Sequence, residues 1–403
     1  MRDQGQGHIR QRGRRTHGDG GIDARGENSW RLRYRVNGRR FTKSFHGNKT
    51  EAQKELRRLL RSSDVGEHVV PSRVTVADWA EQWITNGAPG RSRRKASRRN
   101  IERYEQLLRC HVLPALGGRP LQQLQAIEID TLYIDLAARL KPRTAHHVHT
   151  VFSACLGTAA RKGLVTASPM ERVEKVPSPG ESDHGIVLDA DELRKLIEGF
   201  RGSVLYPIGA VAAFTGARRN EILALRWTDF DPANKTLRIE RAVDETKGGL
   251  AFKAPKTKRG IRTITIDDEL IALLKAERDR HLRVMSGVPD GGKVDLSLIK
   301  LPEGALIFPS PSGLTRPRDP HAVTRGFVRR ARRLGFPRLR FHDLRGTHET
   351  LLLDAGVPVH VVAARCGHDP AVLLRSYAKR TRKADTSAAG VIGLLTQTIL
   401  GSG

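Results

Sequence analysis

The chain has 403 residues with 71 Lys and Arg against 43 Asp and Glu, a formal charge of +28, and its 38% hydrophobic and 28% charged residues suit two to four folded domains rather than a disordered chain. No apolar run approaches the roughly 18 residues of a membrane span, the opening MRDQGQGHIRQRGRR lacks a secretory apolar stretch, and Cys110, Cys155 and Cys366 form no disulfide framework or metal-ligand spacing. A reducing, cytoplasmic compartment is expected, and the charge points to nucleic acid rather than a membrane surface, because no single basic amphipathic helix holds it.

The first 61 residues hold 17 Lys and Arg against 6 Asp and Glu. Residues 1–20, rich in Gly and Arg, read as a flexible basic arm. Ser29–Val36 alternates apolar and basic residues, Asn37-Gly38 is a strong hairpin signal, and Arg39–Phe45 alternates again. A helix follows from about Lys49 to Leu60, capped by Thr50 or Asn48. Residues 21–66 therefore form a small sheet plus a helix, similar to a DNA-binding module whose sheet lies in the major groove. Arg31, Arg33, Arg35, Arg39, Arg40 and Lys43 are its candidate contacts; a solvated edge hairpin is the other reading of the same pattern.

A second unit, residues 72–176, reads as an all-helical bundle. Val76, Trp79, Ala80 and Trp83 share a helix face, and Ile101, Tyr104, Leu107, Leu108 and Val112 form the stripe of a second helix. Leu113–Leu121 is a breaker-rich turn, and helices are expected at about Ala126–Leu140 and Arg143–Lys162. The run Arg91, Arg93, Arg94, Lys95, Arg98 and Arg99 is either a DNA contact or a solvated face. Residues 177–185, opening Pro-Ser-Pro-Gly, are a linker.

The third unit, residues 186–387, is expected to be mostly helical with one small sheet. Asp189–Leu193 opens a helix, and Tyr206–Thr215 is another. A strand is expected at Thr236–Val243 and a hairpin over Leu250–Ile266 with Lys256 near its tip. Helices follow at Ala322–Leu334, Thr347–Ala355, Pro358–Cys366 and Pro370–Lys379. Four short stretches carry polar groups whose roles are ambiguous singly. Thr215–Leu225 places Arg218 in the first turns of a helix, where the dipole opposes a cation and an anion partner is expected, with Glu221 at i+3 to orient it. Lys256 on a mobile tip is able to donate a proton to an oxyanion. His342 and Arg345 at i, i+3 suit a grip on one phosphate. His368 precedes Tyr377 by nine residues.

Together these stretches resemble the tyrosine recombinase (phage integrase) family. Thr-Gly-x-Arg-x-x-Glu-x-x-x-Leu is matched by Thr215–Leu225, His-x-x-Arg by His342 and Arg345, Gly-His by Gly367-His368, the hairpin lysine by Lys256 and the nucleophile by Tyr377. Cys366 and Leu373-Leu374 depart from the family pattern at positions read as helix packing, and His348 has no assigned role. The resemblance implies an arm-site-binding first domain, a helical core-binding second domain and a mixed, mostly α catalytic domain, the whole being mainly α with small sheets. It also implies covalent catalysis. Arg218 and Arg345 would neutralise the non-bridging oxygens of a phosphodiester. Tyr377 would attack phosphorus to leave a 3′-phosphotyrosine, with His342 as base, Lys256 protonating the 5′ oxygen, His368 bonding the phosphate and Glu221 holding Arg218. Because the phosphotyrosine conserves the bond, neither cofactor nor metal is called for.

The resemblance further implies double-stranded DNA with core and arm attachment sites, a homotetramer on it, DNA-bending and directionality accessory proteins, and a nucleoid location in bacteria. Integration or excision of a phage or other mobile element is the expected role. The apolar segment Val391–Leu395, in the tail 388–403, would dock on a neighbouring protomer. Two other functions use related parts: a type IB topoisomerase-like enzyme that relaxes any plasmid, and a non-catalytic DNA-binding relative, against which the complete residue set argues.

Overall fold

The computed structural model describes residues 20–36, 39–64, 69–90, 92, 94–180, 185–255, 258–289 and 295–378. The chain divides into two compact units, residues 1–181 and 182–403.

The first unit opens with an antiparallel meander of β1 (Gly21–Gly26), β2 (Ser29–Val36) and β3 (Arg39–His46), followed by α1 (Lys49–Asp64). The two-residue alternation of β2 sends Leu32, Tyr34 and Val36 into a small core with Ala52, Leu56 and Leu59 of α1, and leaves Arg31, Arg33 and Arg35 exposed. Asn48 is the cap of α1: its Oδ1 accepts from Glu51 N and Glu51 Oε2 accepts from Asn48 N, both at 2.9 Å.

The bundle that follows comprises α2 (Val76–Thr85), α3 (Arg98–His111), α4 (Leu113–Leu116), α5 (Ala126–Arg139) and α6 (Pro142–Arg161). Thr75 and Asp78 box the start of α2, whose buried face is Val76, Trp79, Ala80 and Trp83. Both indoles are satisfied, Trp79 Nε1 donating to Cys155 O and Trp83 Nε1 to Pro89 O. The stretch expected to be only a turn contains the single-turn helix α4, because Pro114 falls in its first turn, where a missing N–H costs nothing. At the exit, Asp130 accepts from Glu174 N at 3.0 Å and Lys175 N at 2.7 Å, and His146 Nδ1 bonds Pro177 O at 2.8 Å. The opening residue of the expected linker is thus tied to the bundle. Asp130→Ala strands two amides, and a loss of about 1–3 kcal/mol in denaturant unfolding is expected.

The second unit holds α7 (Ala190–Gly199), α8 (Tyr206–Thr215), α9 (Arg219–Ile222), β4 (Phe230–Asp231), β5 (Thr236–Ile239), β6 (Ala242–Thr246), β7 (Gly249–Lys253), β8 (Arg262–Thr265), α10 (Asp268–Ser286), β9 (Pro309–Ser310), β10 (Gly313–Pro317), α11 (Pro320–Arg333), α12 (Asp343–Asp354), α13 (Val359–Cys366) and α14 (Pro370–Ala378). Asp189 caps α7 reciprocally with Glu192. Apolar α8 is buried on nearly every side and packs with α7, β5, β8, α10 and α11 residues in one core. Two sequence expectations change here. The single strand at 236–243 is two strands broken at Glu240-Arg241, where Arg241 turns to pair Asp229 and Glu240. The hairpin at 250–266 does not exist: β7 pairs β6 across the short turn at Lys247-Gly248, and β8 pairs β5, Leu237 opposite Ile264. Residues 254–261 therefore connect two different sheets. Alternation marks both strands but carries no record of their partners, and the nearer glycine turn captures β7.

Candidate active site

Helix α8 ends at Gly216 in the left-handed conformation, φ +62°; a Cβ there would stand 2.6 Å from the His348 ring and 2.9 Å from Cys366 Sγ. This turn sends the chain into α9 and presents the Gly216 carbonyl to Arg345. Arg218, at the cap of α9, donates from its backbone N to Glu221 Oε2 and from Nη1 to Glu221 Oε1, each at 2.9 Å. Glu221, only 5% exposed, also accepts from Arg262 Nη2 at 2.9 Å. Burial alone raises the Glu221 carboxyl, but the bonds and charges of Arg262 and Arg218 outweigh it and hold its pKa below the ordinary value. The remaining nitrogens of Arg262 reach Arg365 O at 2.7 Å and Gly260 O at 3.2 Å.

Helix α12 starts four residues earlier than expected, because the Asp343 carboxylate accepts from Arg340 N at 2.8 Å and pairs the Arg340 guanidinium. His342, exposed, stands at its N-terminus. Arg345 is 2% exposed; Nη1 donates to Gly216 O at 2.7 Å, Nη2 to Cys366 O at 2.6 Å, and Nε lies 3.0 Å from Glu349 Oε1. Burial lowers its pKa from the usual arginine value, though a guanidinium stays charged at any ordinary pH. After α13, the left-handed Gly367 turns the chain so that His368 faces the same place, its Nδ1 3.4 Å from Glu349 Oε1. Burial, then the charges of Arg345, Arg218, His342 and Arg262, push the His368 pKa down to about 3, so the ring is neutral near pH 7. Arg218, His342, Arg345 and His368 thus come together from three separate stretches of chain.

Tyr377, on α14, lies apart from them: its hydroxyl donates to Asp354 Oδ1 at 2.9 Å, at the opposite end of α12 from Arg345. Nine residues of helix rise put about 13 Å between those two Cα positions. Lys256 lies outside the described residues, as do Arg91, Arg93 and the tail segment Val391–Leu395.

Residues 187–383 match the phage integrase family, and residues 76–176 match the phage integrase central domain. The chain belongs to the tyrosine recombinase family.

This integrase is 28% identical to a tyrosine recombinase XerC-like protein of Caldanaerobacter subterraneus subsp. tengcongensis, over 82% of this chain and 86% of that one. It is 27% identical to an integrase of Streptomyces ambofaciens, over 94% and 97%. Its fold matches the Tn1549 transposon integrase, solved with transposon right end DNA, at TM-score 0.62 and 18% identity over 80% of this chain and 99% of that one. It also matches lambda integrase, solved as a tetramer on a Holliday junction, at 0.54 and 16% over 92% and 98%.

Two residues at this centre, Arg262 and Glu349, escape the sequence reading, and a third, His348, is noted there without a role. Arg262 sits in a strand pattern that hides its single role, whereas Glu349 lies at i+4 from Arg345, a legible signal. His348 is a strut: Nδ1 bonds Ala213 O at 2.8 Å while Nε2 accepts from Arg365 Nε at 3.2 Å, and burial lowers its pKa to about 4. Of the departures from the family pattern, Cys366 and Leu373 pack inside, but Leu374 is 48% exposed because adjacent residues of α14 diverge by a third of a turn. In the integrase's N-terminal sheet, Arg40 lies opposite Arg35 and shares the face of Arg31 and Arg33. Lys43 and Arg39, grouped with them from sequence, lie opposite Leu32 and Val36 on the other face, since directly paired residues of antiparallel strands point the same way. Lys43 spends its charge on Glu55 of α1 at 2.8 Å, and Arg33 pairs Asp23 at 2.8 Å. Arg94 and Lys95, in the loop before α3, and Arg98 and Arg99, in its first turn, are exposed.

Proposed function

We propose that this integrase is a site-specific recombinase that cleaves and rejoins double-stranded DNA through a 3′-phosphotyrosyl intermediate. One observation carries the reading: Arg218, His342, Arg345 and His368 converge from three stretches of chain, with burial first and the neighbouring charges second keeping the His368 ring neutral, and such a cationic centre is the electrostatic complement of a phosphodiester. Arg218 and Arg345 bind the non-bridging oxygens, their orientations fixed by Glu221 and by the Gly216 and Cys366 carbonyls. An arriving phosphate offsets the surrounding charge, so His368 takes up a proton and donates it as a hydrogen bond. Tyr377 leaves Asp354 and attacks phosphorus, His342 accepts its proton, and Lys256 protonates the departing 5′ oxygen. The phosphotyrosine stores the bond until a 5′ hydroxyl of the partner duplex reverses the step.

Residues 21–66 read arm sites with the arginine face of β2, residues 72–176 hold the core site, and residues 186–387 carry the chemistry. Four copies assemble on two core sites, aided by DNA-bending and directionality proteins, at the nucleoid of a bacterial cytoplasm. The element moved is a phage or other mobile DNA. The test is a supercoiled plasmid carrying two copies of a duplex that the protein selects from a random pool. Deletion or inversion between the copies is expected; relaxation of unrelated plasmids at the same rate would instead fit the topoisomerase reading. Arg31→Ala, exposed on the arginine face, is expected to weaken arm-site binding and lower the slope of log K against log salt by about 0.9. An unchanged slope would remove Arg31 from the interface.

A further inference from the structure

Glu349 is a buried carboxyl group in the middle of an anion-binding centre, a placement that electrostatics alone disfavours. It is 3% exposed, on α12 one turn after Arg345. Its Oε1 stands 3.0 Å from Arg345 Nε and 3.4 Å from His368 Nδ1. In the free protein these three atoms are at ion-pair distance without the alignment of hydrogen bonds, as is common for catalytic contacts that tighten only around the substrate. The two nitrogens of an imidazole lie on opposite sides of the ring. A carboxylate at Nδ1 therefore selects the form protonated there and turns Nε2 away from itself. Among the described residues, the other titratable or charged groups facing His368 are Arg345 of α12, His342 at its cap, Arg218 before α9 and Arg262 of β8, and each opposes a proton on its ring. Glu221 is engaged with Arg218 and Arg262.

We propose that Glu349 is a positioning residue for strand cleavage, holding the Nδ1–H of His368 and the Nε of Arg345 so that Nε2 of His368 takes up a proton from solvent as the phosphate binds and shares it as a hydrogen bond with a non-bridging oxygen. The inference rests on the recombinase reading above for its reaction, but the geometry it names exists in the chain without DNA. It also gives the carboxyl group a reason to sit there. A phosphate offsets part of the surrounding positive charge, and a fixed negative charge behind the ring adds to the drive for His368 to take up a proton.

The experiment compares wild type with Glu349→Gln and Glu349→Ala for the rate of covalent adduct formation on a nicked duplex between pH 6 and pH 9. If cleavage needs the His368 proton, losing the Glu349 charge shifts the alkaline limb down by about one pH unit, so Glu349→Gln is slowed about tenfold at high pH and little at low pH. In a His368→Ala background the same substitution should shift nothing further. A defect equal at every pH, or one that persists without His368, would overturn the proposal, leaving Glu349 to act on Arg345 or on packing and not through the His368 proton. Should either variant fail to fold, 15N imidazole shifts of His368 in protein unaltered at 349 decide the point, read with inorganic phosphate added. The Nδ1–H form when neutral, and a pKa raised by phosphate, are expected; the Nε2–H form overturns the proposal. Absence of any adduct from wild type would count against the recombinase reading, while the imidazole spectrum would still judge Glu349.

Discussion

Tyr377→Phe protein will form no covalent adduct on a nicked cognate duplex, where wild type leaves a protein–DNA band stable to denaturant. Phe lacks the oxygen that bonds phosphorus, and nothing else at the site replaces it. The substitution is structurally mild. It removes one exposed hydrogen bond, to Asp354, from the last described turn of α14, so binding and the unfolding midpoint should stay close to wild type. Rate is the large effect: a fall to background, beyond the factor of 10³ that loss of one transition-state contact typically brings. An adduct persisting in the Phe variant would take the nucleophile away from Tyr377. Adduct loss together with loss of DNA binding would point to a folding defect, which calorimetry on the same sample would register.

The second large effect is on stability. Glu221→Ala removes the shared acceptor of Arg218 and Arg262. The Arg262 side chain is 6% exposed, so it is left as an uncompensated buried charge. Breaking such a pair from one side costs about 3–5 kcal/mol. The Arg218 contact, 40% exposed, is screened by solvent and adds little to that figure. Glu221→Gln keeps an acceptor and should fall between the two. Differential scanning calorimetry of the full chain would read the change, and a loss under 1 kcal/mol for the alanine variant would mean that Arg262 finds another partner. The pH dependence has a definite sign. The folded pKa of Glu221 lies below its ordinary value of 4.5, so its contribution is complete above that value. It is lost as pH falls through the folded pKa, and acid should therefore close part of the gap between wild type and Glu221→Ala.

Much of this architecture is legible in the sequence wherever one periodicity dominates. The β2 alternation, the Val76–Trp83 face and the apolar run of α8 each specify their element through burial alone. Pairing is less legible. The strands at 249–253 and 262–265 read as a hairpin, but a two-residue pattern encodes which residues face the core and not which strand lies alongside. The centre shows the same division. Arg218, His342, Arg345 and His368 are recognisable because their spacing within short boxes is fixed by helix caps and turns. Arg262 is not, since its partners Glu221 and the Arg365 carbonyl are distant in sequence. Nor does spacing reveal that Tyr377 rests on Asp354, because that contact depends on how α14 packs against α12.

The division of β2 into a cationic face and an apolar face has a consequence for insertions and deletions. Arg31, Leu32, Arg33, Tyr34, Arg35 and Val36 alternate without a break, and β3 is paired to them residue by residue. Adding or removing one residue within this run would swap the faces beyond it, turning arginines toward α1 and exposing Tyr34 and Val36. A change of two residues would keep the faces and only shift the register. Length variants of this strand in functional integrases of the same architecture should therefore come in even steps, whereas α1, held by a cap and a stripe, tolerates change at its C-terminal end.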